Sequence, residues 1–523
     1  LSHQADVTRS YVEKAINVPD VALQLPTGSG KTLVGLLIGE WRRRKFEERI
    51  LYLCPTNQLV YQVAQEAKTK YGMHVNTFTG SKKKYDEIAK SEYENAEAIA
   101  VTSYSGLFNT APYFADPQII LLDDAHAAEN YVASYWSVRV ERSNARHRPL
   151  YTALTSILKP IIPFSDYSKM QGSWKSSWDK SWVDKIPTVL FQDLIPDLIN
   201  VFDAHVEDLD LRFPWQLLRD HLSACHLYIG SQEILLRPLI PPTNTHAPFA
   251  EARQRIYMSA TLGEGGDLER LTGRKQIERL AIPVGWDKQG IGRRFFLFPS
   301  LKQEELTDLD LALMERAGRT LVLTPEERSA QEFRTLVQEK LGFKTFNAND
   351  IESSKAPFVT SSQAVAVIAN RYDGIDFPGD ECRLLIAQGL PRSTNLQERF
   401  MVDKLGAIVL LNDRILTHVV QAIGRCTRSP NDYSAVIIAG EELLKYLMKK
   451  DRSRFLHPEL QSEIFYGIEQ SKQATKDEFI EYFDLFLAHG DDWNDAEEDI
   501  ISNRSSMVQE RLPGIDNLRQ AAS

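Results

Sequence analysis

Short apolar runs alternate with amphipathic stretches through the first quarter of the chain. Val21–Leu25, Ile50–Cys54, Ala98–Thr102 and Ile119–Leu122 are nearly unbroken apolar runs bounded by polar or turn residues. That is the pattern of strands buried on both faces. Helical periodicity follows the first two, as from Leu33 to Ile38 and from Leu59 to Lys68. A second set of runs begins near Phe295: Phe295–Phe298, Thr320–Leu323, Ala364–Ala369, Arg383–Gln388 and Ala435–Ala439. Strand–helix alternation of this kind predicts parallel sheets with helices on both faces, hence two α/β units. Between them, from about Glu141 to Ala250, proline is frequent and strand patterns are few, so a mostly helical insertion is expected. Trp174, Trp178 and Trp182 recur there at helical spacing beside Lys175, Lys180 and Lys185, either as a packing face or as a base-stacking stripe. From about Glu441 onward the pattern is helical again, with Phe479, Tyr482, Phe483, Phe486 and Leu487 on one apolar face.

Composition narrows the class. A chain of 523 residues, 43% apolar and 25% charged, is globular and too long for one core. No apolar run approaches the roughly 18 residues of a membrane span, and the first thirty residues do not resemble a signal peptide. Beginning at Leu1 rather than methionine, the sequence leaves room for an appended domain or effector. Cys54, Cys225, Cys382 and Cys426 lie far apart, which argues against a disulfide scaffold or zinc finger and fits a reducing cytoplasm. The formal charge of -10 conceals a local cause. Ten carboxylates and no Lys or Arg fall between Asp477 and Asp499, and the rest of the chain is formally neutral. A nucleic-acid groove elsewhere is compatible with that balance. The acidic stretch reads either as a solvated helix face or as a docking surface for a basic partner.

Two stretches carry chemistry. The first is Val21-Ala-Leu-Gln-Leu-Pro-Thr-Gly-Ser-Gly-Lys-Thr32: strand, glycine-containing loop, Lys-Thr and helix. These are the parts of a nucleotide phosphate cradle, although Leu25 stands where the strict pattern asks for glycine. Pro26, Thr27, Gly28, Ser29 and Gly30 would form the loop, Lys31 would reach the outer phosphates, and the Thr32 hydroxyl would hold Mg²⁺. The second is Ile119-Ile-Leu-Leu-Asp-Asp-Ala-His126, an apolar strand ending in two carboxylates and an imidazole. A metal-dependent NTPase needs one carboxylate near the Mg²⁺ shell, here Asp123, and one to orient or deprotonate water, here Asp124.

With these in place the sequence resembles a superfamily 2 helicase of the DEAD/DEAH-box kind over roughly residues 20–440. Leu25–Thr32 is similar to motif I, Pro55-Thr56 with Leu59 and Gln62 to motif Ia, and Thr79-Gly80 and Thr102-Ser-Tyr104 to the next two strand-contacting motifs. Asp123–His126 resembles motif II, Ser259-Ala-Thr261 motif III, and Thr324-Pro325 lies where motif IV belongs. Arg371-Tyr-Asp-Gly-Ile-Asp-Phe-Pro-Gly379 resembles motif V and Gln421-Ala-Ile-Gly-Arg-Cys-Thr-Arg428 motif VI. Gly374–Arg383, followed by Gly389-Leu-Pro391, together with an insertion between motifs II and III, resembles the XPD/DinG-like branch. Two departures stand out. Only Cys54 falls between motifs I and II, so no iron–sulfur cluster is expected, and Asp124 replaces the usual Glu of motif II.

The resemblance implies a fold and roles. The fold is α/β: two RecA-like parallel-sheet domains, with a mostly helical insertion in the first and a helical acidic C-terminal region. Residues 1–140 and 251–288 would form the first RecA-like domain, 141–250 the arch-like insertion, 289–445 the second domain and 446–523 the tail. Arg425 and Arg428 would meet the γ-phosphate across the cleft, Gln421 would help place the attacking water, and Asp376 would sense ATP. His126, Ser259, Thr261 and Gly374 would couple phosphate state to the nucleic-acid side. Thr56, Thr79, Gly80, Thr102 and Tyr104 would hold the strand, with Lys82, Lys83 and Lys84 adding charge, while Gln4 or Arg9 would meet adenine. The expected activity is translocation on single-stranded nucleic acid driven by Mg-ATP hydrolysis, with duplex unwinding, DNA preferred over RNA and 5′-to-3′ polarity. An RNA-dependent helicase remains open, as does an ATPase switch that senses nucleic acid and controls a partner, for instance in genome defence. The acidic tail and the insertion would then be the partner's contact surfaces. ATP and Mg²⁺ are the expected cofactors; zinc, an iron–sulfur cluster and membrane attachment are not expected.

Overall fold

A computed structural model describes residues 2–25, 30–281, 292–302, 306–369, 376–389, 395–427 and 432–522. Two all-parallel sheets organise it. The first contains β1 (Asp20–Gln24), β2 (Ile50–Cys54), β3 (Val75–Phe78), β4 (Ile99–Ser103) and β5 (Ile119–Leu122). After a long excursion come β10 (Gln254–Ser259) and β11 (Glu278–Leu280), giving the order β11-β1-β10-β5-β2-β4-β3. Every residue of β2, β4 and β5 is buried, as central parallel strands require. The excursion has its own antiparallel sheet of β6 (Val138–Glu141), β7 (Val183–Lys185), β8 (Cys225–Gly230) and β9 (Glu233–Pro238), in the order β6-β9-β8-β7. This sheet is an addition to the helical insertion expected from sequence. The Trp spacing is also resolved differently. Only Trp178 lies within the short helix Ser177–Ser181, Trp182 caps its end, and Trp174 precedes it between the side chains of Arg142 and Lys180. The three tryptophans therefore do not form one helical stripe.

The second parallel sheet contains β12 (Arg293–Leu297), β13 (Arg319–Thr324), β14 (Lys344–Phe346), β15 (Ala364–Ala369), β16 (Leu384–Ala387) and β17 (Tyr433–Ile438), ordered β12-β17-β16-β13-β15-β14. One face is covered by the C-terminal helices. Phe479, Phe483 and Phe486 of Lys476–Ala488 and Trp493, Ala496 and Ile500 of Asp491–Ser506 pack against Phe295, Leu297, Val365 and Ile437. The acids beside them are not uniformly solvated, since Glu497 pairs with Arg293 and Asp484 with Arg316. The chain then returns to the first sheet's side. Arg511 pairs with Glu264, and the helix Ile515–Ala522 lies against Asp267–Thr272.

The insertion also reaches the second sheet's side. Leu396, in the helix Leu396–Leu405, is buried among Val183, Tyr228 and Leu235 of the antiparallel sheet. Gln397 donates to the Tyr228 hydroxyl at 3.1 Å, and Asn395 donates to Glu129 at 2.7 Å. Glu129 also pairs with Arg237 of β9, so one carboxylate ties together three parts of the chain.

One buried carboxyl has a thermodynamic consequence. Asp310, in the helix Leu306–Ala317, is buried, and its Oδ1 has no hydrogen-bond partner among the described residues. Burial pushes its pKa up from the ordinary 3.8 to about 7. Below pH 4 the carboxyl is protonated folded or unfolded and costs nothing on this account. Between about pH 4 and 7 only the unfolded chain ionises, so stability falls as pH rises, by about 4 kcal/mol at the upper end. Asp310→Asn cannot ionise. Its melting temperature relative to the parent should climb between pH 5 and pH 8, and a pH-independent difference would refute the assignment.

Candidate ATP and nucleic-acid sites

The carboxyl ends of β1, β10 and β5 lie side by side, with Gln24 opposite Ser259 and Tyr257 opposite Leu122. Ligands of open α/β sheets bind at such strand ends. Gly30 enters the first helix with φ +81°, a left-handed conformation that favours glycine, and a Cβ there would also overlap the Gln4 amide. The helix Lys31–Phe46 then lies tight on the sheet, because a Cβ at Gly35 would collide with Met258. This approach brings the Lys31 ammonium onto the Asp124 carboxylate, with which it forms an ion pair. Asp124 sits at φ +47°, an uncommon conformation that Asp tolerates better than most residues. Pro26, Thr27, Gly28 and Ser29 lie outside the described residues, as do Gly374 and Arg428.

Asp123 is buried beneath this pair. Tyr52 of β2 donates to its Oδ2 at 3.0 Å, the Asp124 amide donates to its Oδ1 at 3.0 Å, and Tyr104 donates to its carbonyl oxygen at 2.9 Å. Burial and the neighbouring Asp124 charge push its pKa up to about 6, against the pull of Lys31 and the Tyr52 hydrogen bond. Among the described residues no group of three or more His, Cys, Asp or Glu side chains could enclose a metal. One buried carboxylate, with a threonine in the first turn of the helix whose Lys31 pairs with the next residue, instead fits Mg²⁺, which takes few protein ligands and completes its shell with phosphate and water. Asp123 and Thr32 would hold it, and it would supply positive charge to the phosphate oxygens.

From His126, two residues after Asp124, a chain of contacts leads across the cleft. His126 Nδ1 lies 2.7 Å from Ser259 Oγ, which also accepts from the Thr261 amide at 3.2 Å. Gln421 donates to Thr261 Oγ1 at 2.8 Å, joining motif VI to motif III. Arg425 donates to Asp376 Oδ1 at 2.9 Å, and its carbonyl accepts from the Phe377 amide at 3.0 Å. Thus the two sheets meet through the residues expected to couple them. In this arrangement Gln421 engages a threonine, and Arg425 a carboxylate. Gln4 lies against Gly30, whereas Arg9 pairs with Asp6 on an exposed face.

Of the expected strand-contacting residues, Gly80 and Thr102 line a groove of about 350 Å³, together with Lys82, Ser103, Ser105 and Asn109, among others. Gly80 has φ +74° and open space around it, and Thr79 shares a 2.7 Å hydrogen bond with Tyr61. Thr56 caps the helix Asn57–Tyr71, accepting from the Leu59 amide at 3.3 Å. One of the expected contacts has its hydroxyl already engaged at the groove wall, and another side chain stands elsewhere than expected. Thr102 is buried, its hydroxyl donating to Phe78 O at 2.6 Å, and Tyr104 is buried beneath motif II rather than facing the groove. Lys82–Lys84 form a short turn, with Lys82 donating to Ala111 O at 2.7 Å. Tyr52, Glu129 and Asn395 were not singled out from sequence. For Tyr52 a signal existed, since a tyrosine within an apolar central strand needs a partner for its hydroxyl.

Two family models match successive parts of the chain: DEAD/DEAH box helicase over residues 4–149 and Helicase C-terminal domain over residues 309–459. No curated protein sequence matches. Among solved structures, apo XPD has a TM-score of 0.55 at 16% identity, covering 86% of this chain and 98% of that one. S. tokodaii Xpd4 has a TM-score of 0.51 at 15% identity, covering 86% and 99%. Helicase models thus match both parallel-sheet units, so the chain belongs to the superfamily 2 helicases, and it shares the fold of XPD across both units.

Proposed function

We propose that this helicase-fold protein is a motor on single-stranded DNA that hydrolyses Mg-ATP, translocates 5′-to-3′ and separates duplex. The observation that carries the reading is the contact chain from His126 through Ser259 and Thr261 to Gln421, which starts two residues after the Lys31–Asp124 pair, with Arg425 and Asp376 beside it. A cleft wired in this way senses whether a phosphate group sits between the two sheets. Lys31 would leave Asp124 for the β- and γ-phosphates. Asp124 would then be free to take a proton from the attacking water, which Gln421 would help place. Arg425 would turn from Asp376 to the γ-phosphate. Closing and reopening the cleft would move the groove beside Gly80 relative to the second sheet, stepping along a backbone held mainly through its phosphates. DNA is favoured over RNA through the likeness to the XPD fold.

Steady-state ATP hydrolysis without polynucleotide, with single-stranded DNA, with duplex DNA and with single-stranded RNA tests the reading. Single-stranded DNA should stimulate most, and Lys31→Ala should remove the activity, confirming that it arises at this site. Stimulation by RNA alone would move the substrate to RNA. Equal rates in all four conditions would overturn the motor reading. Strand displacement from 5′- and 3′-tailed duplexes then reads polarity.

A further inference from the structure

A single turn of helix connects the groove to the ATP site. Tyr104–Leu107 follows β4 directly, and its flanking residues Ser103 and Ser105 line the groove, their hydroxyls 2.9 Å apart. The turn rests hard on the strand end, because a Cβ at Gly106 would overlap Thr102 Oγ1. Tyr104 points the opposite way. Its ring stacks on Tyr131, with centroids 5.3 Å apart and planes at 21°, and its hydroxyl donates to the carbonyl oxygen of Asp123 at 2.9 Å.

That carbonyl belongs to the planar peptide joining Asp123 to Asp124. The amide on the other side of the plane donates to Asp123 Oδ1, and its orientation sets the left-handed φ of Asp124. Both carboxylates of motif II therefore hang from one peptide plane, and Tyr104 holds that plane by its oxygen. A displacement of the turn at Ser103 and Ser105 is transmitted to it through one rigid aromatic side chain. The geometry points to Tyr104 as the positioning residue that makes ATP hydrolysis responsive to strand binding in the groove. This rests on the motor reading above. Tyr52 provides the internal contrast: it supports the same Asp123 through Oδ2, but from β2, and does not line the groove.

The experiment compares Tyr104→Phe with Tyr52→Phe. For each, kcat is measured with and without single-stranded DNA, and DNA affinity by fluorescence anisotropy. The ratio of stimulated to unstimulated kcat is independent of the folded fraction, so it reads coupling even in a less stable variant. Loss of one hydrogen bond worth about 1 kcal/mol should lower that ratio about fivefold in Tyr104→Phe, with DNA affinity retained. Tyr52→Phe should lower both rates together and keep the parent's ratio. An unchanged ratio in Tyr104→Phe would overturn the inference. So would an equal fall in Tyr52→Phe, which would mean that any support of Asp123 suffices, or a parallel loss of DNA affinity. If the parent itself is not stimulated, the motor reading fails first and takes the inference with it.

Discussion

Asp124→Asn should lower kcat for ATP hydrolysis about 10²–10⁴-fold, while ATP binds at least as tightly as to the parent. The two effects have separate origins. Without nucleotide, the Lys31 ammonium is engaged by the Asp124 carboxylate, in a pair whose side chains are 18% and 24% exposed. Incoming phosphates must break that pair before Lys31 can serve them. An ion pair with this much solvent access is worth up to about 1 kcal/mol, so its removal should tighten ATP binding by up to about fivefold. Asn keeps the side chain's shape and tolerates the left-handed backbone at this position. What it lacks is a site to accept the proton from water. Steady-state hydrolysis together with binding of a fluorescent ATP analogue separates the effects. A kcat near the parent's would remove Asp124 from the base role, and weaker nucleotide binding would show that Lys31 and ATP do not compete for the same charge.

The legible parts of this molecule share one physical property: they are buried on both faces, or local in sequence. The runs at Val21, Ile50, Ala98 and Ile119 read as strands because central parallel strands must be apolar throughout, and β1, β2, β4 and β5 lie at those places. The motif II pair at the end of β5 was readable because its parts follow one another directly. β10 was harder, since Gln254 and Arg255 are buried polar residues within it, satisfied by Ala15, Val18 and Asp20 far away in sequence. β7 to β9 were hidden among prolines and charges, and their antiparallel pairing places no long apolar run on the page. The Trp spacing misled because periodicity alone cannot show that a helix begins only at Ser177. Contacts such as Asn395 to Glu129 span hundreds of residues and leave no local trace. Tyr104 shows a further limit. A motif identifies the turn that follows β4, but the burial of the motif's last side chain follows from packing against Tyr131 and Asp123.

Arg425→Ala should reduce DNA-stimulated kcat about 10³–10⁵-fold, the range over which an arginine supplied to a transferring phosphoryl group acts. Its position argues for this magnitude. Arg425 is only 5% exposed, lies in the segment after the helix Ile408–Ile423, and donates to Asp376. Asp376 keeps more solvent access, at 33%, so it can be left ionised at modest cost when the guanidinium swings away. On the proposed function the carboxylate would hold the arginine between hydrolytic cycles. Arg425→Lys should recover little, because an ammonium cannot present the planar fork of donors that a phosphoryl group requires. Asp376→Asn releases the arginine without removing it and should cost far less than Arg425→Ala. The KM for ATP should move much less than kcat in Arg425→Ala, since the transition state carries the charge that the arginine meets. If Arg425 were only a structural tie, Asp376→Asn and Arg425→Ala would lower the melting temperature alike and leave kcat per folded molecule nearly intact. A single set of melting curves and rate measurements on the three variants therefore distinguishes a residue that serves the γ-phosphate from one that merely joins motifs V and VI.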